Sequence, residues 1–304
     1  MKLPRLLYIF LPLISLILLL PTRLNAGIYP DKLPVAGTIE RILGSGAAAF
    51  ECHLIGNQGG NDVFEIETIG GKIILSGTSQ PAIGYALNYY LTQYCHCQLS
   101  HVGENLSLPD PLPVIHEKIR KESPYQYRYF YNYCTYNYAK AFWNWEQWEK
   151  ELDWMVVHGI NMPLAIIGTE AVWQNTLRQF NVPEAAISRF IPGPAYTAWW
   201  LMGNLEGWGG PVSQAWIDQQ AGLQQKIVGR MRQLGMTPVF QGFYGMVPDT
   251  LRTLFPASKI YYGGLWAGDE EGFRRPAFLD PSDPLFAEMA GVYYQELEKL
   301  YGKT

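Results

Sequence analysis

The residues best suited to chemistry in this chain are aromatic, and they crowd together. From Arg128 to Asn161 the sequence reads RYFYNYCTYNYAKAFWNWEQWEKELDWMVVHGIN, with Trp143, Trp145, Trp148 and Trp154 on a segment of helical pattern. An indole or phenol face packs against the apolar C–H face of a pyranose, while an Asn amide or Tyr hydroxyl reads its hydroxyl groups. Any one of these rings would also serve as core filling. Two further stretches, PGPAYTAWWLMGNLEGWGGP (192–211) and YYGGLWAGDEEGF (261–273), are rich in Gly, Pro and Trp. They are longer than a connection requires, as binding loops are.

Candidates for acid/base chemistry are fewer. Glu170 is expected to be exposed, and a carboxylate in a first helical turn is also favoured simply by the helix dipole. Asp269, Glu270 and Glu271 fit a solvated loop. His158 falls at a helix C-terminus, where a cation is favourable, so a structural role is expected. Cys134 has no evident His partner and suits burial beside a pocket. Retaining glycoside hydrolysis needs two carboxyls about 5–5.5 Å apart, and spacing alone assembles no such pair. No Cys/His spacing fits zinc and no Gly-rich phosphate loop is present, so no metal or organic cofactor is expected.

The elements that would position these groups fall into two regions. AFECHLI (49–55) and DVFEIET (62–68) alternate as strands, Gly70-Gly71 turns into KIILSG, and PAIGYALNYYLTQY reads as a helix with Pro81 in its first turn. LPDPLPVIHEKIRKESP then reads as a proline-spaced connector. From Tyr127 the pattern becomes β-α-β-α: strand-like YRYFYNYCTY, a helix opened by Asn144 and closed by Gly159, the apolar strand INMPLAII, helices in GTEAVWQNTLRQFN and VPEAAISRFI, a long helix to Gly235, the strand MTPVFQGFYG and a last helix. That alternation implies a parallel sheet with crossover helices. The C-terminal strand ends, where such folds gather function, are Asn132, Cys134 and Tyr136, then Gly168, Thr169 and Glu170, then Gln241, Phe243 and Tyr244.

Composition bounds the rest. The chain has 304 residues, 48% hydrophobic and 16% charged, with a net charge of −4. No basic stripe points to nucleic acid. All ten Trp lie between Trp143 and Trp266, which places a domain boundary near residue 120. Lys2, Arg5, the apolar run Leu6–Leu20 and Pro21 form a targeting segment, with cleavage expected after Ala26. The apolar run spans only about 22 Å, short for a membrane core of about 30 Å. The expected organisation is therefore an export signal over 1–26, a small α/β domain over 27–120 and a barrel-like region over 121–304. Four cysteines are present; Cys52 bridged to Cys95 or Cys97, and reduced thiols, both fit an exported protein. A periplasmic or extracellular location fits the signal, and Asn105-Leu106-Ser107 is a single glycosylation sequon.

Several long segments, in order, resemble the α-N-acetylglucosaminidases of glycoside hydrolase family 89. These are YRYFYNYCTYNY, the W-x-W-x-x-W-E-x-E-x-D-W run from Trp143 to Trp154, GINMPLA, GTEAVWQ, GPAYTAWWLMGNLEGWGGP and GMTPVFQGFYGMVP, with FP…LW at Phe255–Trp266. The resemblance implies a small α/β domain followed by the first part of a (β/α)8 TIM barrel. It implies an exo-acting retaining hydrolase that removes terminal α-linked N-acetylglucosamine from heparan sulfate or mucin-type glycans, in a lysosome if eukaryotic. It places Asn132, Cys134, Trp199 and Trp266, with Met202 and Asn204, around the terminal sugar. The family's two catalytic glutamates have no counterpart in these residues and are expected beyond Thr304, so the sequence is expected to be an N-terminal portion. An exported sugar-binding protein without hydrolysis, and another hexosaminidase or α-glucuronidase barrel, are the competing expectations.

Overall fold

The computed structural model describes residues 32–57, 59–267 and 273–303. The export segment expected over residues 1–26 lies outside them, and so does Thr304, beyond which the catalytic glutamates are expected. Helix α1 (Pro34–Leu43) begins on a proline, whose missing N–H costs nothing in a first turn. Strands β1 (Phe50–Leu54), β2 (Val63–Ile69) and β3 (Lys72–Gly77) follow. β2 and β3 form the hairpin expected from Gly70-Gly71, both at positive φ, and β1 lies parallel to β3. Helix α2 (Gln80–Gln93) crosses this sheet, capped by Ser79, whose hydroxyl accepts from Ala82 N at 3.2 Å. A small hairpin, β4 (Gln98–Ser100) with β5 (Gly103–Asn105), comes next.

The supposed connector holds a strand. β6 (Ile119–Glu122) pairs antiparallel with β2 and completes the sheet order β1-β3-β2-β6. Apolar alternation does not announce it because charge sets its register. Lys118 reaches Glu65 at 3.2 Å and Glu67 at 2.7 Å, and Arg120 also pairs with Glu65.

The parallel part is more economical than its sequence implies. β7 (Tyr129–Phe130) pairs in parallel with β8 (Met162–Pro163), and Leu164 bridges in parallel to Val239. Leu164 N donates to Phe130 O at 2.7 Å, Ala165 N to Val239 O at 2.8 Å, and Val239 N to Pro163 O at 2.9 Å. Three parallel segments are thus present, but their pairing is short. Pro163 has no N–H to donate, and the strand expected through residue 136 ends at Phe130. There Asn132 caps a helical turn, α3 (Tyr133–Thr135), by accepting from Thr135 N at 3.1 Å.

Helices make the crossovers. α4 (Trp145–Val157) opens with the reciprocal capping of Asn144 and Gln147 and joins the first parallel segment to the second. Between the second and third lie α5 (Thr169–Gln179), α6 (Glu184–Phe190), α7 (Thr197–Leu201) and α8 (Gln214–Gln233). Beyond Val239 come β9 (Met246–Val247), α9 (Leu251–Leu254), β10 (Ile260–Tyr261), β11 (Leu265–Trp266), β12 (Phe273–Arg274), β13 (Ala277–Leu279) and α10 (Pro284–Tyr301). β13 lies between β10 and β9, and β11 pairs with β12.

The two sequence regions share one core. α2 packs on α4 so closely at Gly84 that any β-carbon there would collide with the Val156 carbonyl. Within α4, Trp148 and Leu152 are fully buried, and Lys140 forms a buried ion pair with Glu151. The Lys140 ammonium also faces the rings of Tyr131, at 3.8 Å, and Trp143, at 4.8 Å. His101, from the β4–β5 turn, reaches the other Glu151 oxygen at 3.1 Å and packs tilted against Trp154 with ring centroids 3.8 Å apart. The tryptophans of α4 thus serve packing and a buried charge; the more open aromatic face lies elsewhere.

Candidate functional site

That face is organised around α7. Trp199 and Trp266 stack with ring centroids 5.6 Å apart and planes 27° apart, and both are partly buried. Tyr138 meets Trp199 edge-on at 5.6 Å, and Phe273, the cross-strand partner of Trp266, lies 5.6 Å from it. Trp200, one residue on, points the other way and is wholly buried against Trp173 and Phe190. Adjacent tryptophans on one helix thus divide between core and surface, a division their shared residue type does not reveal.

The remaining expected residues gather here too. α3 packs on α7, which brings the exposed Asn132 and half-buried Cys134 to this side. The Asn132 amide oxygen is engaged by Thr135 N and, at 3.0 Å, by the Thr135 hydroxyl. Met202 N and Asn204 N donate to Ala198 O and Trp199 O at 3.1 and 3.0 Å, so both residues lie in the turn that closes α7. Cys95, Cys97 and Cys134 are free thiols, and burial pushes the Cys95 thiol up to about 11.

The strand ends hold α7 more than they face a ligand. Gln241 Nε2 and Tyr244 OH donate to Leu201 O at 2.5 and 3.0 Å, while Phe243 is buried. Asn137, which the sequence did not single out, clamps the other end: its Nδ2 donates to Pro194 O at 2.7 Å and its Oδ1 accepts from Ala198 N.

Glu170 is not the exposed acid its position implied. It is 4% exposed, in the first turn of α5, with Thr197 Oγ1 donating to its Oε1 at 3.4 Å and no partner on Oε2. Removal from water pushes its carboxyl up to about 7, so desolvation overrides the dipole at that helix start. It lines a small cavity with Tyr136, Asn137, Thr197 and Trp216. His158 caps the C-terminus of α4 as expected, with its Nδ1 donating to Trp154 O, 2.7 Å away. Burial lowers its pKa, though, so the ring is not held as a cation. Asp269, Glu270 and Glu271 lie outside the described residues.

A second feature was missed. Glu206, Trp208, Asp249 and Arg274 line an open cleft of about 840 Å³ beside the aromatic face. Burial raises the Glu206 carboxyl to about 7 against the opposing pull of Arg274. The only hint in the sequence was the loop NLEGWGGP itself. Among the described residues no cluster of His, Cys, Asp and Glu could hold a metal ion, and no helix is long and apolar enough to cross a membrane.

Comparison with known proteins places this arrangement. Residues 128–304 match the α-N-acetylglucosaminidase TIM-barrel domain, and residues 33–114 match the N-terminal domain of the same proteins. Human α-N-acetylglucosaminidase is 34% identical over 277 residues, which is 90% of this chain and 37% of the human protein. A family 89 glycoside hydrolase from Clostridium perfringens, in complex with 2-acetamido-1,2-dideoxynojirimycin, is 34% identical with a TM-score of 0.82, covering 88% of this chain and 31% of that one. The same values hold for the Clostridium perfringens enzyme in complex with its substrate GlcNAc-α-1,4-galactose. The chain therefore spans about a third of the length of these relatives.

Proposed function

The chain belongs to the α-N-acetylglucosaminidase family, and on that premise we propose that it serves glycoside hydrolysis by holding a terminal α-linked N-acetylglucosamine on the Trp199–Trp266 face. The observation that carries this reading is the stacked, partly buried indole pair. The outer face of a stacked indole suits the apolar face of a pyranose; Tyr138 meets Trp199, and Asn132 lies at the start of α3, which packs on α7. Cys134, Met202 and Asn204 complete the same side, and Gln241, Tyr244 and Asn137 fix the helix that presents Trp199.

Glycosidic cleavage with retention requires two carboxyls facing one bond. Glu170 and Glu206 both titrate near neutrality, yet they line different cavities, and Glu170 is enclosed beneath α7. Neither is assigned a catalytic role; the reading keeps both catalytic glutamates beyond Thr304. Action on heparan sulfate or mucin-type glycans and an exported location belong to the same proposal, resting on the family and on the N-terminal segment.

The test is to offer the chain a chromogenic α-N-acetylglucosaminide and its β-anomer, measuring turnover and, by calorimetry, binding of N-acetylglucosamine. Binding of N-acetylglucosamine that Trp266→Ala weakens supports the reading, whereas α-specific turnover by this chain would overturn the placement of both catalytic glutamates outside it. Absence of N-acetylglucosamine binding, or turnover of the β-anomer, refutes the reading. Binding of N-acetylglucosamine unaffected by Trp266→Ala moves the sugar off this face.

A further inference from the structure

A tyrosine-lined groove lies between α2, the end of β6 and the C-terminus of α4, with a volume of about 460 Å³. Arg128 and Gly159, which lie just ahead of β7 and β8, line it, so it opens where the parallel segments begin. The α3 turn and the α7 helix that carries Trp199 stand past the other end of β7. The groove is therefore separate from the Trp199–Trp266 face.

Its rings are held in place without being buried. Phe64 is 6% exposed, and Tyr85 and Tyr89 of α2 pack on it with centroids at 5.7 and 5.5 Å. Gly159 lets Tyr85 approach the end of α4, since a β-carbon there would lie 3.3 Å from the Tyr85 β-carbon. Tyr85 nonetheless stays 42% exposed. Tyr125 is 68% exposed, yet its backbone is fixed twice over. Its N–H donates to Ser123 Oγ at 3.2 Å, and its carbonyl accepts from Ser123 Oγ at 2.8 Å and from the Arg128 guanidinium at 2.9 Å. Two large rings thus face water on rigid supports, as ligand platforms do.

The charges of the lining cancel. Asp62 is paired with Arg128, while Glu122 and Lys121 contribute one charge of each sign. The Lys121 ammonium stands 5.4 Å over the Tyr89 ring. Burial lowers the pKa of His158, so that ring adds no charge at neutral pH.

We infer that this groove is a second saccharide site, apart from the Trp199–Trp266 face, which grips an uncharged sugar elsewhere on a longer glycan. Its volume falls in the range of about 300–1,000 Å³ typical of small-molecule sites. A tyrosine offers a pyranose an apolar ring face and a hydroxyl together, and the Lys121 ammonium donates to sugar oxygens. A lining of zero net charge suits a neutral ring. The inference takes its ligand class from the sugar reading of the first face, and it gives the chain two separated holds on one polymer.

The test is titration of the chain with GlcNAc-α-1,4-galactose, followed by nuclear magnetic resonance of isotopically labelled tyrosine and tryptophan side chains. Tyr125→Ala, which removes an exposed ring, and Tyr85→Phe, which removes only a hydroxyl, assign the two tyrosine signals; each variant is checked by its melting curve. The expected result is saturable movement of the Tyr85 and Tyr125 signals that persists in Trp266→Ala with a midpoint within about twofold. Tyr125→Ala should weaken the response at Tyr85 by about fivefold, the worth of one aromatic contact. Tyrosine signals that do not move or do not saturate, an unchanged midpoint in Tyr125→Ala, or loss of the response in Trp266→Ala would overturn the site. Movement of the Trp199 and Trp266 signals alone removes this site and leaves the first reading standing. Movement of the tyrosine signals alone does the reverse, and movement of neither set removes both.

Discussion

Replacing Glu170 with glutamine should remove a pH dependence of stability that the wild-type fold carries. The carboxyl is buried, has one weak partner, and is pushed from its ordinary 4.5 up to about 7 by desolvation. The folded form therefore keeps its proton over a range in which the unfolded chain has already released it. The stability contributed is fully present below pH 4.5 and is lost as pH rises through about 7, above which both states are ionised. Each tenfold change in proton affinity is worth about 1.36 kcal/mol, so the loss comes to roughly 3 kcal/mol. The glutamine side chain has nearly the same shape and no charge to lose. Unfolding followed by circular dichroism from pH 4.5 to 8 should show the Glu170→Gln variant close to wild type at the acid end and more stable at the alkaline end. The gap should reach roughly 5–10 °C in melting temperature. Glu206 shifts in the same direction, so the wild-type curve falls for two reasons, but the difference between the two proteins isolates Glu170. Parallel curves over the whole range would refute the claim that Glu170 is protonated in the fold.

Three further outcomes follow from the packing. Trp266→Ala should weaken N-acetylglucosamine binding by about fivefold, near 1 kcal/mol for one aromatic contact, and calorimetry within twofold of wild type would remove Trp266 from the site. Leu164→Asp places a charge at a 2% exposed position in the parallel segments and should abolish soluble expression; normal yield with a normal melting curve would contradict its burial. Gly84→Ala, ordinarily stabilising inside a helix by about 0.5–1 kcal/mol, should here lower the melting temperature because the new methyl meets the Val156 backbone. A rise instead would mean that α2 does not sit so close to α4.

How much of this was legible follows from where each signal resides. Local chemistry was readable: the Gly70-Gly71 hairpin, Pro81 in the first turn of α2 and Asn144 at the start of α4 all depend on residues near one another in sequence. β6 was not, because its pairing is specified by Glu65 and Glu67, far upstream of Lys118 and Arg120. The strands expected through residue 136, over 160–167 and around Val239 were overlong for a related reason. An aromatic or apolar run states that residues are buried, but not that neighbouring backbone will pair with them.

The site shows the same limit in sharper form. Trp199 and Trp200 are identical in type and adjacent, yet one supports the open face and the other fills the core, since a helix turns successive side chains by about 100°. Glu170 looked available because a first helical turn is usually wet, and only the placement of α7 above it removes the water. Tertiary contact with this one short helix thus decides both cases. The residues that hold it, Asn137 at its start and Gln241 and Tyr244 at its end, come from the chain just past the first and third parallel segments. Such a helix is too short to be stable on its own. Its position is set by side-chain bonds from distant segments, so the geometry of the aromatic face depends on the spacing of the parallel strands as much as on the tryptophans that form it.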